Sequence, residues 1–243
     1  MRPTLFISDL HLCKERPRIS RLFERFIADI APTGESLYIL GDLFEYWIGD
    51  DQLDLDPLAH DVARQLNALT ASGTKIFFMH GNRDFLIGER FAREAGLEIL
   101  TDPTLIDIDS SPVLLMHGDT LCTDDVAYQT FRHQVRSSGW QQATLAKPYP
   151  VRVALAQSIR SQSDTEKSMK PEAIMDVNAA AVDQAFRDYR YPVMVHGHTH
   201  RPARHEHLLD GRHCVRWVLQ DWHEFGGYLA NTGGEWQATT IKE

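Results

Sequence analysis

Residues 37–42 read Leu37-Tyr38-Ile39-Leu40-Gly41-Asp42, four apolar positions in an unbroken run followed by a glycine and a carboxylate. So short and so apolar a run reads as a strand buried on both faces, with the Gly-Asp forming the turn at its carboxyl end. The pattern recurs. Leu5-Phe6-Ile7 leads to Asp9 and His11, Ile76-Phe77-Phe78-Met79 to Asn82, Val113-Leu114-Leu115-Met116 to His117, and Val193-Met194-Val195 to His198 and His200. Between these runs lie helical stretches. Ile19, Leu22, Phe23, Phe26, Ile27 and Ile30 recur at three and four residues, and Leu58, Val62, Leu66 and Leu69 do the same behind Pro57, a residue suited to a first helical turn. Strands alternating with helices imply a largely parallel sheet, where functional groups gather outside the carboxyl ends of the strands. All five motifs lie at those ends, in a fold of the α/β class.

Downstream of His200 the texture changes. His213 to Trp222, Gly227 to Asn231 and Trp236 to Ile241 alternate as strands, with Asp210-Gly211 as a hairpin turn, so an antiparallel second sheet is expected. Trp217, Trp222 and Trp236 then belong to the core or the sheet surface. From about Ala127 to Tyr191 there is no such motif. Helical patterns cover Val126 to Val135, Val151 to Ile159 and Ala173 to Phe186, which reads as a helical insertion.

A chain of 243 residues, 43% hydrophobic, suits a single domain over 1–243 carrying an insertion at about 127–191. Met1 to Leu12 offers neither a secretory nor a membrane-spanning run, so a cytoplasmic location is expected. Cys13, Cys122 and Cys214 are odd in number and widely spaced, the usage of reduced thiols rather than disulfides or structural zinc. The net charge of −9 disfavours nucleic-acid binding, yet residues 126–190 hold nine Lys and Arg against six Asp and Glu. A basic segment on an acidic chain points to an anionic substrate or surface.

The motif residues share one chemistry. Asp9 and His11 are two apart and project to the same side of an extended chain. Asp42 offers two oxygens that can bridge two cations, Asn82 a neutral carbonyl, and His117, His198 and His200 imidazole nitrogens. This set suits Mn²⁺, Fe²⁺ or Zn²⁺ without soft thiolates, and manganese is the expected metal. Two cations roughly 3.5–4 Å apart acidify a water and clamp phosphoryl oxygens. Any one of these residues alone has a plainer explanation, as a turn, a cap or a structural histidine. Seven at corresponding strand ends do not.

Asp9-Leu10-His11, Gly41-Asp42, Gly81-Asn82-Arg83-Asp84, His117-Gly118-Asp119 and Gly197-His198-Thr199-His200 resemble, in order, the motifs of the calcineurin-like metallophosphoesterases. The resemblance implies a four-layer αββα sandwich of two sheets. It also implies one metal on Asp9, His11, Asp42 and His200, and a second on Asp42, Asn82, His117 and His198. Many members carry histidine where Arg83 stands. Arginine stays charged and cannot act as a general acid near neutral pH, though its fork suits phosphate. A leaving phosphate tolerates that loss better than a leaving alkoxide, which favours a diphosphate as substrate.

Gly41-Asp42-Leu43-Phe44-Glu45-Tyr46-Trp47-Ile48-Gly49-Asp50-Asp51, Gly81 to Gly88, His117 to Asp125, Ile174 to Asn178 and His196 to Pro202 are similar to the bacterial UDP-2,3-diacylglucosamine pyrophosphohydrolases of lipid A biosynthesis. The resemblance covers almost the whole chain. It implies hydrolysis at the α-phosphorus of UDP-2,3-diacylglucosamine at the cytoplasmic face of the inner membrane, with peripheral membrane contact and no nucleic-acid or obligate protein partner. Asp42, Asn82, Arg83 and His117 then form the catalytic set, and Asn82, Arg83, Asp125, Ser163, Lys167, Lys170 and His198 match substrate contacts. The insertion, with Trp140, Leu145 and Tyr149, becomes a lid over acyl chains. The alternatives are a metallophosphoesterase for another substrate and an inactive scaffold of the same fold.

Among the remaining polar residues, Asp84 and Asp119 are expected to orient Arg83 or a metal-bound histidine. Asp50, Asp51, Asp54 and Asp56 read as a solvated turn rather than a cation loop. Glu45 either helps the site or is structural.

Overall fold

The computed structural model describes the backbone of residues 1–169 and 172–242, with side chains outside 162–173. Its strands are β1 (Thr4–Ile7), β2 (Ser36–Ile39), β3 (Lys75–Met79), β4 (Glu98–Leu100), β5 (Thr104–Ile108), β6 (Ser111–Leu115), β7 (Val193–His196), β8 (Ala203–Leu209), β9 (Arg212–Val218), β10 (Gly226–Thr232) and β11 (Glu235–Ile241). Its α-helices are α1 (Pro17–Arg25), α2 (Gln52–Leu55), α3 (Pro57–Ala71), α4 (Glu89–Ala95), α5 (Val126–Val135), α6 (Ser138–Leu145), α7 (Tyr149–Met169) and α8 (Ala179–Asp188). No described helix is long and apolar enough to cross a membrane.

Two sheets form. One has the order β11-β10-β1-β2-β3-β4 and the other β5-β6-β7-β9-β8. β1 to β4 are mutually parallel, as are β6, β7 and β9; the hairpin strands at the edges run antiparallel. The side-chain period of two then builds the layers. Phe6, Leu40, Val113, Leu115, Val195 and Leu229 pack together between the sheets. Their neighbours Leu5, Ile7, Leu37 and Ile39 face the other way, onto Leu22, Phe23, Val62 and Leu66 of α1 and α3. On the far side Leu114 and Met194 pack against Val182 and Phe186 of α8. Every central strand is apolar because both of its faces are covered. The result is the αββα arrangement.

The structure corrects three expectations. The five motif strands do not share one sheet: β1, β2 and β3 lie in the first, β6 and β7 in the second. Nor do the C-terminal strands make a sheet of their own. β8 and β9 extend the second sheet beside β7, whereas β10 and β11 return to the first beside β1. A buried run reveals that both its faces are covered, not which strand pairs with it. Finally, the helix expected from Ala173 begins at Ala179, because the Asn178 side chain accepts from Ala181 N–H and caps it there. The stretch Glu172–Met175 is a short 3₁₀ turn.

The acidic loop after β2 is solvated at Asp51 and Asp54, as expected, but its carboxylates are also engaged. Asp50 accepts from the Gly88, Arg90 and Phe91 N–H groups and so caps α4. Asp56 accepts from Leu58 N–H to cap α3, Asp54 holds Arg90, and Asp51 holds Arg152. All four carboxylates in these seven residues have structural partners, Arg90 serving two of them, which local composition cannot disclose.

Candidate metal centre

The loops behind β1 and β2 stay zipped past the strand ends. Asp9 N–H donates to Gly41 O (3.1 Å), His11 N–H to Asp42 O (2.9 Å) and Leu12 N–H to Leu43 O (2.9 Å). The chain must turn sharply to keep both side chains inward, and Asp9, His11, Asp42, His198 and His200 all take positive φ, between 49° and 67°. That region is costly for non-glycine residues and is held only where the surroundings dictate it. Gly41, at φ 89°, has no such freedom to spare: a Cβ there would lie 2.5 Å from His117 Nδ1.

Asp84 ties the second loop to the third. Its carboxylate accepts from the N–H groups of Gly81 (2.9 Å), Asp42 (3.3 Å) and Leu43 (2.7 Å). It orients backbone, then, rather than Arg83 or a histidine, which corrects the sequence expectation. Burial first, then the Asp42 charge, pushes its carboxyl up to about 7. Asp42 Oδ1 in turn accepts from Arg83 N–H at 2.8 Å.

All seven candidate residues converge. His117 Nδ1 donates to Leu40 O at 2.8 Å, which turns Nε2 toward Asn82 Oδ1 at 3.1 Å. His198 Nδ1 stands 2.9 Å from the same oxygen. On the other side His11 Nε2 and His200 Nε2 are 3.3 Å apart, and His200 Nε2 is 3.4 Å from Asp9 Oδ1. Asp42 lies between, with Oδ2 3.8 Å from His11 Nε2 and Oδ1 3.9 Å from His117 Nε2.

Among the described residues, donor atoms within 4.8 Å of one another form two groups, Asp9 with His11 and His200, and Asp9 with Asp42 and His117. Asp9 Oδ1 is buried and has no hydrogen-bond partner. Crowded nitrogen and carboxylate lone pairs with an orphaned buried oxygen fit divalent cations, and the absence of sulfur suits Mn²⁺, Fe²⁺ or Zn²⁺. Burial would depress His117, but Asp42, Asp119 and Asp9 overcome it and hold the imidazolium up to about 9. Burial and then His117 push His198 down to about 3.

Residues of α5, α7 and the loop at Asp221 reach the motif residues from outside the cluster. Asp119 accepts from Tyr128 OH (2.6 Å) and Arg132 Nε (2.7 Å) of α5, and the Tyr128 ring stacks on His198 at a centroid distance of 5.8 Å. Glu45 Oε1 lies 3.7 Å from Arg83 Nη1 and 3.3 Å from Arg160 Nη1 of α7. Tyr128, Arg132 and Asp221, which faces His200 Nδ1 at 3.6 Å, have no motif spacing and were not legible in the sequence. Asp125 accepts from Tyr128 N–H and caps α5. Ser163, Lys167 and Lys170 lie outside the described residues and side chains. His80, bonded to Ile87 O, and His196, bonded to Arg216, face away from the cluster's chemistry.

Two sheets whose strand ends deliver this cluster define a metal-dependent phosphoesterase, and the chain belongs to the calcineurin-like phosphoesterase family, whose model matches residues 2–202. The family implies divalent metal ions. Among individual proteins, the chain is 56% identical over 225 residues to the UDP-2,3-diacylglucosamine hydrolase of Aromatoleum aromaticum, covering 93% of this chain and 91% of the relative. It is 49% identical over 245 residues to that of Stenotrophomonas maltophilia, covering 98% of each, and 49% identical over 226 residues to that of Cellvibrio japonicus, covering 93% of each.

Proposed function

We propose that this chain hydrolyses the pyrophosphate bond of UDP-2,3-diacylglucosamine at the α-phosphorus, giving UMP and 2,3-diacylglucosamine 1-phosphate. The reading rests above all on the meeting of Asp9, His11, Asp42, Asn82, His117, His198 and His200 at one site with Arg83 beside it. The names of relatives about half identical over nearly the whole chain supply the substrate.

Two manganese ions are the metals of this proposal, one on Asp9, His11, Asp42 and His200, the other on Asp42, Asn82, His117 and His198. Bound there, they supply an acidified water and neutralise charge on the phosphoryl oxygens. The chain does the rest. Arg83, its side chain turned to Glu45 and its N–H held by Asp42, offers a fixed guanidinium for a diphosphate oxygen and no proton. Asn82, Asp125, Ser163, Lys167, Lys170 and His198 complete the substrate contacts, and Asp42, Asn82, Arg83 and His117 the catalytic set. Residues 127–191 form a lid. Its exposed Leu145 and Val151 meet acyl chains and its basic residues meet anionic headgroups, so the protein associates peripherally and reversibly with the cytoplasmic face of the inner membrane.

The test is hydrolysis of UDP-2,3-diacylglucosamine in detergent by Mn²⁺-loaded protein in ¹⁸O-water, with products read by mass spectrometry. Label in UMP, lost in Asp42→Ala, is the expected result. No turnover of this substrate alongside turnover of a simple diester would leave the metal centre standing and remove the substrate.

A further inference from the structure

On the outer face of the second sheet, between β8, β9 and the start of α8, lies a cavity of about 420 Å³. Its polar lining is out of balance. Arg216 is only 6% exposed, and among the described residues no carboxylate lies within ion-pair distance of it. Its Nη1 is 3.0 Å from His196 Nε2. His196 Nδ1 donates to Gly197 O at 2.9 Å, so Nε2 accepts from the guanidinium and brings no counter-charge, and Asp176 acts on it only from beyond ion-pair distance.

The acid in the wall is already engaged. Asp176 accepts from Arg201 Nη1 at 2.6 Å and from Val177 N–H at 2.7 Å. Three buried side-chain atoms without a hydrogen-bond partner belong to residues lining this one cavity: Arg216 Nε, Thr199 Oγ1 and His207 Nε2. A buried cation with neither a contact ion pair nor full hydrogen bonding is costly for a fold to hold. Each of the three can donate a hydrogen bond, and the rest of the wall includes apolar Val182 and Val218. A buried guanidinium with unpaired donors on two neighbouring residues of a cleft that is half polar and half apolar, its one acid held by Arg201, describes an oxyanion pocket.

We propose that this cavity binds a small molecule carrying an oxyanion, phosphate or carboxylate, anchored on Arg216 with Thr199 and His207 as further donors, apart from the metal centre. The site is coupled to that centre through the chain itself. Thr199 lies between His198 and His200, and His196 connects Arg216 to Gly197, so an occupant braces the loop that carries two of the seven candidate metal-binding residues.

Crystals of the Mn²⁺-loaded protein soaked in selenate locate the site by anomalous scattering. A selenium peak within hydrogen-bonding distance of Arg216 is expected, and it should vanish in Arg216→Gln. Selenate at the metal centre alone, water alone in the cavity, or a peak that persists in Arg216→Gln as an adventitious ion only would each overturn the proposal.

Because a buried arginine can be needed for folding, His207→Leu provides a second arm in solution. Calorimetric titration of the metal-loaded protein with inorganic phosphate and with phenylphosphonate should show binding that this variant weakens at least fivefold, with turnover of a chromogenic diester within twofold of wild type. Tighter phenylphosphonate identifies an occupant with an apolar body, and equal affinity a free ion. Unchanged binding of both probes in His207→Leu would refute the pocket.

Discussion

Arg152 of α7 grips Asp51 of the loop behind β2 as a two-pronged ion pair, with Nη1 2.9 Å from Oδ1 and Nη2 against Oδ2. Arg152 Nη1 also donates to Ile48 O. The arginine is 4% exposed, while the Asp51 side chain is 45% exposed. This pair fastens α7 to the body near the Trp47 core, and its energetic value is set mainly by the buried guanidinium. A double-mutant cycle of Arg152→Met and Asp51→Asn in urea unfolding should give a coupling of about 1 kcal/mol, discounted for the exposed partner. Strict additivity would mean that the pair does not hold the helix.

Asp84→Asn should lower metal affinity about 10–100-fold while leaving the fold intact, because the side chain fixes the amides of Gly81, Asp42 and Leu43 rather than touching substrate. Metal titration checks this. Its pH signature has a definite sign. With the folded carboxyl raised above its ordinary value to about 7, the stability this group contributes is present at low pH and lost as pH rises through 7. The chelated wild type should therefore weaken from pH 5 to pH 8 by more than chelated Asp84→Asn does, as read by thermal melting.

Chelation should lower the melting midpoint. Asp9 and Asp42 are buried together, and removing cations leaves their repulsion offset only by the neighbouring histidines His117 and His200. Metal at about 100 times its Kd contributes about 2.7 kcal/mol, which for a chain of this size corresponds to about 5–10 °C. Scanning calorimetry with and without EDTA measures the difference, and readdition of Mn²⁺ should restore it.

Thiol modification should discriminate sharply among the cysteines. Burial first, then Asp119, Asp176 and Asp125, pushes the Cys122 thiol up to about 12, so its thiolate fraction at pH 8 is ~10⁻⁴. Cys13 is the partly exposed one; Cys122 and Cys214 are buried. Iodoacetamide followed by peptide mass spectrometry should find Cys13 modified first and Cys122 untouched until the protein unfolds.

What chain order alone determined is the part of this protein governed by local physics. A short apolar run bounded by turn residues reads as a buried strand, so the existence of β1, β2, β3, β6 and β7 and the polar residues at their ends were legible. The chemistry of those ends was legible too, since nitrogen and oxygen donors without sulfur limit the metals whatever the geometry. Tertiary structure decided everything that depends on which surfaces meet. The allotment of the five strands to two sheets, and the return of β10 to β1, follow from pairing over long stretches of chain that periodicity does not encode.

The same division holds within the site. Asp84 carries a motif position but serves three backbone amides, and Tyr128 carries none yet stacks on His198. A side chain's type restricts the bonds it can make, but its partner is whatever the packed chain places within 3 Å of it. That distance exists only after folding.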